Sequence, residues 1–218
     1  MSNFLPNNVF FLHIPKTGGN WVRSIIRGSG VKEIKTNQIS KHATYDLLAG
    51  VHNRTFFKSP ISIKYFCVVR HPLLWYQSWF RYQQDKGWKN WGEKGNMLRW
   101  HCLTGINMKK QDDFNMFMTH VNNYSPGFLT SLYHSYVLNS GARYLKNENL
   151  KYELLSLNED WCLGLNEKII VDSEKINVST KSEIIWDEKV LAETLENEIP
   201  LLKKYGYDSD ASDLVKIK

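Results

Sequence analysis

The sequence predicts an α/β domain built around a mostly parallel sheet. Two observations carry that prediction. Short apolar, β-branched and aromatic runs alternate with helix-compatible stretches along the first half of the chain. Two of those runs end in a tight turn that leads straight into a helix, Ile14-Pro15-Lys16-Thr17-Gly18-Gly19 and Val69-Arg70-His71-Pro72. Strand, turn and helix N-terminus repeated in this order is the unit from which parallel sheets are made.

The first strand is expected from Val9 to Ile14, stopped by Pro15. A helix from about Gly19 to Arg27 follows, ended by Gly28-Ser29-Gly30. Val31–Lys35 is a candidate second strand, and Ser40–Leu48 a short helix capped by Ser40 or Thr44. Ile63–Val69 reads as a buried strand. A helix from Leu73 to Tyr82 comes next, with Pro72 near its first turn. Residues 83–126 break the alternation. They are rich in aromatic, Gly, Asn and Lys residues and read as an insertion or lid within one domain of residues 1–218. Phe128–Leu138 is a helix candidate, Ala142–Leu145 a strand, and Lys146–Leu157 a helix. Glu188–Tyr205 closes the chain as one amphipathic helix, with Val190, Leu191, Leu195 and Leu202 on its apolar stripe.

Composition sets bounds. The chain has 218 residues, with 28 Lys and Arg against 22 Asp and Glu, for a net charge of +6. That balance suits anionic ligands but is too mild and too scattered to indicate nucleic acid. No run of about 18 apolar residues occurs, so no transmembrane helix is expected. The N-terminal residues Met1–Asn8 lack a charged leader and an apolar signal core. The three cysteines, Cys67, Cys102 and Cys162, form no metal-binding or disulfide pattern. A soluble cytoplasmic protein with no metal is the expectation.

The turn after the first strand carries chemistry. The first turn of a helix presents N–H groups with no acceptor, and the helix dipole adds positive charge. Gly18 and Gly19 allow close approach of the backbone, and Lys16 adds a full charge. The order is not that of the usual nucleotide-binding P-loop, in which the glycines precede the lysine. In the second turn, Arg70 offers a planar fork of donors for a phosphate. Ser78 lies within the following helix and can add a hydroxyl.

Together, Pro15-Lys16-Thr17-Gly18-Gly19 with Trp21, and Arg70-His71-Pro72 with Ser78, resemble the two phosphate sites of sulfotransferases that use 3′-phosphoadenosine 5′-phosphosulfate (PAPS). The likeness is to the carbohydrate branch, membrane-bound and bacterial. It runs from about residue 8 to 208, strongly at the two motifs and loosely elsewhere. Two looser matches are Arg143–Leu150, with longer spacing than the family's Arg-x-Glu-x-Leu, and Asn177-Val178-Ser179-Thr180-Lys181 before the last helix.

The resemblance implies a three-layer fold like that of P-loop kinases. It puts the 5′-phosphosulfate on Lys16, Thr17, Gly18, Gly19 and Asn20, although the family usually has Thr or Ser where this chain has Asn20. Trp21 would stack on adenine; otherwise it is a core aromatic. Arg70 and Ser78 would hold the 3′-phosphate, and Asn177, Ser179 and Lys181 would complete the PAPS site. Lys16 would stabilise the leaving oxygen as 3′,5′-ADP departs. His42, in Lys41-His42-Ala43-Thr44, would be the base, with His101 the second candidate. Trp88, Trp91 and Trp100, with His101, would meet the acceptor. Flat indole faces suit sugar rings, so a glycan or glycolipid hydroxyl is the acceptor expected. Two other classes compete: a small-molecule kinase with a P-loop-like turn, and a non-enzymatic carbohydrate-binding module built on the tryptophans.

Overall fold

The computed structural model describes residues 4–31, 62–88, 106, 110–138, 140–174, 183–208 and 213–218. The chain forms two compact units, each assembled from two stretches of sequence. One comprises Met1–Arg70 with Tyr133–Val178, the other His71–Leu132 with Ser179–Lys218.

The first unit is the α/β body. Strands β1 (Phe4–Leu5), β2 (Val9–Leu12), β3 (Lys64–Val69) and β4 (Arg143–Lys146) form one sheet in that order. β2, β3 and β4 are parallel, and β1 adds an antiparallel edge. The register sets Phe11 opposite Phe66 and Val68 opposite Leu145. All four residues of β2 and the last four of β3 are buried. Strands covered on both faces read as continuous apolar runs rather than as an alternation, and this is why both were legible in the sequence. Phe11 and Phe66 stack at 4.8 Å between centroids. Helix α1 (Gly19–Gly28) packs Trp21, Val22, Ile25 and Ile26 onto that core.

After β4 the chain makes one 3-10 turn, Asn147–Asn149, before helix α5 (Leu150–Trp161) begins. The sequence reading started this helix at Lys146. Helix α6 (Glu167–Asp172), not anticipated, is capped by Asn166, whose Oδ1 accepts from the Ile169 N–H.

The second unit is mainly helical. Helix α2 (Pro72–Lys86) starts at the proline that the sequence marked and is capped by His71. It runs past residue 83, and α3 (Phe114–Tyr124) is a regular helix with its N-terminus capped by Asp113. The expected insertion is therefore partly ordinary helix. Its apolar residues Phe114, Phe117, Met118 and Val121 face inward at helical spacing. Helix α4 (Phe128–Val137) follows, and its first turn belongs to this unit. Glu188–Tyr205 is two helices, α7 (Glu188–Asn197) and α8 (Ile199–Tyr205), not one. Pro200 lies in the first turn of α8. Its missing N–H and its ring prevent the ladder from running through. A parallel pair, β5 (Ile185–Trp186) and β6 (Lys216–Ile217), lies beside them in sequence order.

The junction of α7 and α8 holds a buried carboxylate. Glu198 is 1 % exposed. Its Oε1 accepts from the Tyr76 hydroxyl at 2.6 Å and the Leu129 N–H at 2.9 Å. Its Oε2 accepts from the N–H and the hydroxyl of Thr130, at 2.8 and 2.6 Å. Leu129 and Thr130 are in the first turn of α4, so Glu198 caps that helix from a distant part of the chain. Burial raises its pKa above the ordinary carboxyl range, against the pull of the four donors.

The candidate second strand Val31–Lys35, beyond Val31 itself, and the helix Ser40–Leu48 lie outside the described residues. Among the described residues, no helix is long and apolar enough to cross a membrane.

Candidate functional site

Three elements of the first unit converge on the turn after β2. β2 delivers the chain to it, α1 leaves from it, and the segment after β4 lies against it. Lys16 itself adopts a left-handed backbone, with φ of 64°. A non-glycine residue there costs about 1 kcal/mol or more. Gly18, with φ of 99°, is the N-cap of α1. This helix has no side-chain cap and no acidic residue in its first turn. No side chain of that first turn offsets the partial positive charge of the helix N-terminus.

Gly19 is required for space. A Cβ at that position would overlap the ring of His13, which is buried and stacked on Phe11 at 5.5 Å. We expect Gly19→Ala to lower unfolding stability by roughly 1–3 kcal/mol, the usual cost of overpacking. Gly28→Ala is the comparison, because a Cβ there meets only ordinary contacts with Ile169. Chemical denaturation of both variants would show it. Equal midpoints would mean that the His13 ring moves aside freely.

Thr17 is fully buried, and its hydroxyl donates to the Ile14 carbonyl at 2.9 Å. The hydroxyl is therefore occupied in shaping the turn, and what Thr17 can give an anion is its N–H. Asn20 is exposed at the start of α1.

Arg70 follows β3 and is half-buried. Its backbone is held on both sides by one hydroxyl: the Arg70 N–H donates to Tyr133 Oη at 3.0 Å, and that hydroxyl donates to the Arg70 carbonyl at 3.1 Å. Its guanidinium reaches the turn, with Nη1 donating to the Lys16 carbonyl at 3.5 Å. The two cations are close enough to influence each other. Burial, and then the Arg70 charge, hold the Lys16 amine down to a pKa of about 8.

The structure thus brings together Lys16, Thr17, Gly18, Gly19 and Arg70, five of the residues singled out in the sequence. Trp21 is placed otherwise. It lies in the apolar core of the first unit, only 5 % exposed, and little of its ring is left to a ligand. Its position suits a core aromatic, the second reading that the sequence left beside adenine stacking. Ser78 is half-buried on α2 and belongs to the second unit. Trp88 also belongs there, and it is not presented to an acceptor. It is 8 % exposed and packs on Phe80 and Phe117, with centroids 5.8 and 5.4 Å away. A large apolar ring beside α3 gains more by covering that helix than by standing in water. His42, Trp91, Trp100, His101, Asn177, Ser179 and Lys181 lie outside the described residues.

One contributor was missed. Asn147, in the 3-10 turn after β4, donates from Nδ2 to the Thr17 carbonyl at 2.9 Å. The sequence marked residues 143–150 as a segment of interest, but nothing in its spacing tells which side chain turns toward residue 17, which lies 130 positions away.

No family model, curated protein or solved structure matches this chain. Function is read from the chemistry of the site.

Proposed function

We propose that this chain is a PAPS-dependent sulfotransferase acting on a hydroxyl of a glycan or glycolipid. One observation carries the reading: Lys16 and Arg70, two cations, stand close together at the uncapped, glycine-lined N-terminus of α1. Two positive charges beside a glycine-lined helix N-terminus suit a polyanionic ligand. The order of residues in both turns resembles that of PAPS-dependent sulfotransferases, and this likeness favours a phosphosulfate over a nucleoside triphosphate. We also propose the three-layer arrangement of P-loop kinases for the fold, on the strength of the parallel β2-β3-β4 order with a helix after the first turn.

In the proposed reaction the acceptor oxygen attacks sulfur and its proton passes to a base. The bond from sulfur to the bridging phosphate oxygen breaks, and 3′,5′-ADP leaves. Negative charge grows on that leaving oxygen. Lys16 and the N–H groups of the turn are the donors proposed to stabilise it, and fixed donors of this kind supply most of the rate in such transfers. His42 is proposed as the base, with His101 as the alternative. Trp91 and Trp100 remain proposed acceptor contacts, and Asn177, Ser179 and Lys181 proposed contacts to PAPS. We propose a reducing, cytoplasmic setting from the odd, unpatterned set of three cysteines in the sequence.

The test is direct. The protein should bind 3′,5′-ADP more tightly than 5′-AMP by calorimetry. Arg70→Ala should remove about 1.5–3 kcal/mol of that preference, the scale for a hydrogen bond to a charged group. Labelled PAPS should pass sulfate to a member of a glycan panel. Equal affinity for the two nucleotides would refute the Arg70 assignment. Preference for ATP with magnesium would favour a kinase, and binding of glycans with no nucleotide at all would favour a carbohydrate-binding module.

A further inference from the structure

Asn147 has a place in the turn that goes beyond packing, and the inference rests on the nucleotide reading above. Three carbonyls around the turn are each held by a side chain. Ile14 O accepts from Thr17 Oγ1, Lys16 O from Arg70 Nη1 and Thr17 O from Asn147 Nδ2. The last matters most for an anion. The C=O of Thr17 and the N–H of Gly18 belong to one trans peptide plane, so they point in opposite directions. Tying the carbonyl to Asn147 turns the Gly18 N–H away from Asn147. Gly18 has no Cβ to resist a flip of this plane, and its φ of 99° is one of several conformations open to glycine. A flipped peptide would present a carbonyl dipole where the N–H now stands. The Asn147 amide also fills the space that a Cβ on Gly18 would need. Asn147 and Gly18 therefore fit each other closely, with Leu150 beside them.

We propose that Asn147 is a positioning residue for the phosphate-binding turn, which fixes the Thr17–Gly18 peptide with its N–H directed at the 5′-phosphate of the nucleotide. It does not touch the ligand. It acts through the backbone of the turn, and its donor amide is the group required.

Calorimetry with 3′,5′-ADP and with adenosine on wild type, Asn147→Leu and Asn147→Ala tests this. Asn147→Leu keeps a similar volume and stays neutral but removes the donor, so it separates the hydrogen bond from the volume and from charge. Both variants should lose affinity for 3′,5′-ADP by roughly tenfold or more, the scale of one fixed hydrogen bond to a charged group. Their affinity for adenosine, which lacks the phosphates, should match that of wild type. A merely structural role would weaken both ligands together, or lower the melting temperature with no preference for the phosphorylated one; that result overturns the proposal. So does wild-type affinity for 3′,5′-ADP in both variants. If wild type itself binds no 3′,5′-ADP, the nucleotide reading fails, and this inference fails with it.

Discussion

Lys16→Ala is expected to lower turnover about 10²–10³-fold, the scale for removing one preorganised donor at a developing anion. The fold should not suffer. Lys16 is held with its amine partly buried beside Arg70, and both influences push its pKa down to about 8. The sign of the linked stability follows. Between about 8 and the ordinary value near 10.4, the unfolded chain binds the proton and the folded chain does not. Stability therefore rises with pH through that window, and at neutral pH the charged lysine is a burden on the fold. Removing it should leave unfolding stability unchanged or higher, because alanine, also a non-glycine residue, bears the same left-handed backbone cost at that position. Loss of activity with no loss of stability marks a residue retained for chemistry and not for folding.

The same shift gives a pH signature for binding. An anion seated on the turn favours the ammonium form, so binding should draw a proton onto Lys16 above pH 8. Affinity for 3′,5′-ADP should be at its full value below about pH 8 and decline above it. In Lys16→Ala that decline should vanish. An unchanged turnover in a folded variant would take Lys16 out of the reaction. A decline that persists in the variant would assign the titration to another group.

Glu198→Ala is expected to be the most damaging change to the fold, at about 3–5 kcal/mol. It strands four donors from Tyr76, Leu129 and Thr130 in the interior of the second unit. Each orphaned donor costs roughly 1–3 kcal/mol, partly relieved by water entering the space. A fall in melting temperature of roughly 6–20 °C follows for a chain of this size. Glu198→Gln separates charge from geometry. The raised pKa means that the folded state holds the proton more tightly than the unfolded state. The stability Glu198 contributes is thus fully present below its unfolded pKa of about 4.3. It is lost as pH rises through the folded value. The stability advantage of wild type over Glu198→Gln should shrink as pH rises. If it grows instead, the four donors outweigh burial, and the carboxylate is favoured in its charged form.

How much of this was legible in the sequence depends on how local each signal is. β2, β3, α1 and α2 could be read because each is announced within a few residues. Buried parallel strands are unbroken apolar runs, and Pro72 and Gly28 punctuate helices through their own backbone chemistry. The Lys16 and Arg70 turns were found for the same reason. The long helix expected from Glu188 to Tyr205 divided at Pro200, where the apolar stripe was followed and the missing N–H was not. Trp88 was read by its chemical type, but its side chain is spent on Phe80 and Phe117, neither of which its own neighbourhood in sequence identifies.

The chain's own sequence determined an α/β body, two strand-to-helix turns and the cations they carry, because these depend on backbone preferences and on runs of side chains adjacent along the chain. Only the tertiary structure decided that Arg70 lies near enough to Lys16 to shift its amine, that Asn147 holds the Thr17 carbonyl, that Trp21 is core, and that Glu198 caps a helix some 70 residues before it. Each of these depends on a distance between residues far apart in the chain. Such distances are set when sheet and helices bury their apolar faces together, and no local propensity contains them.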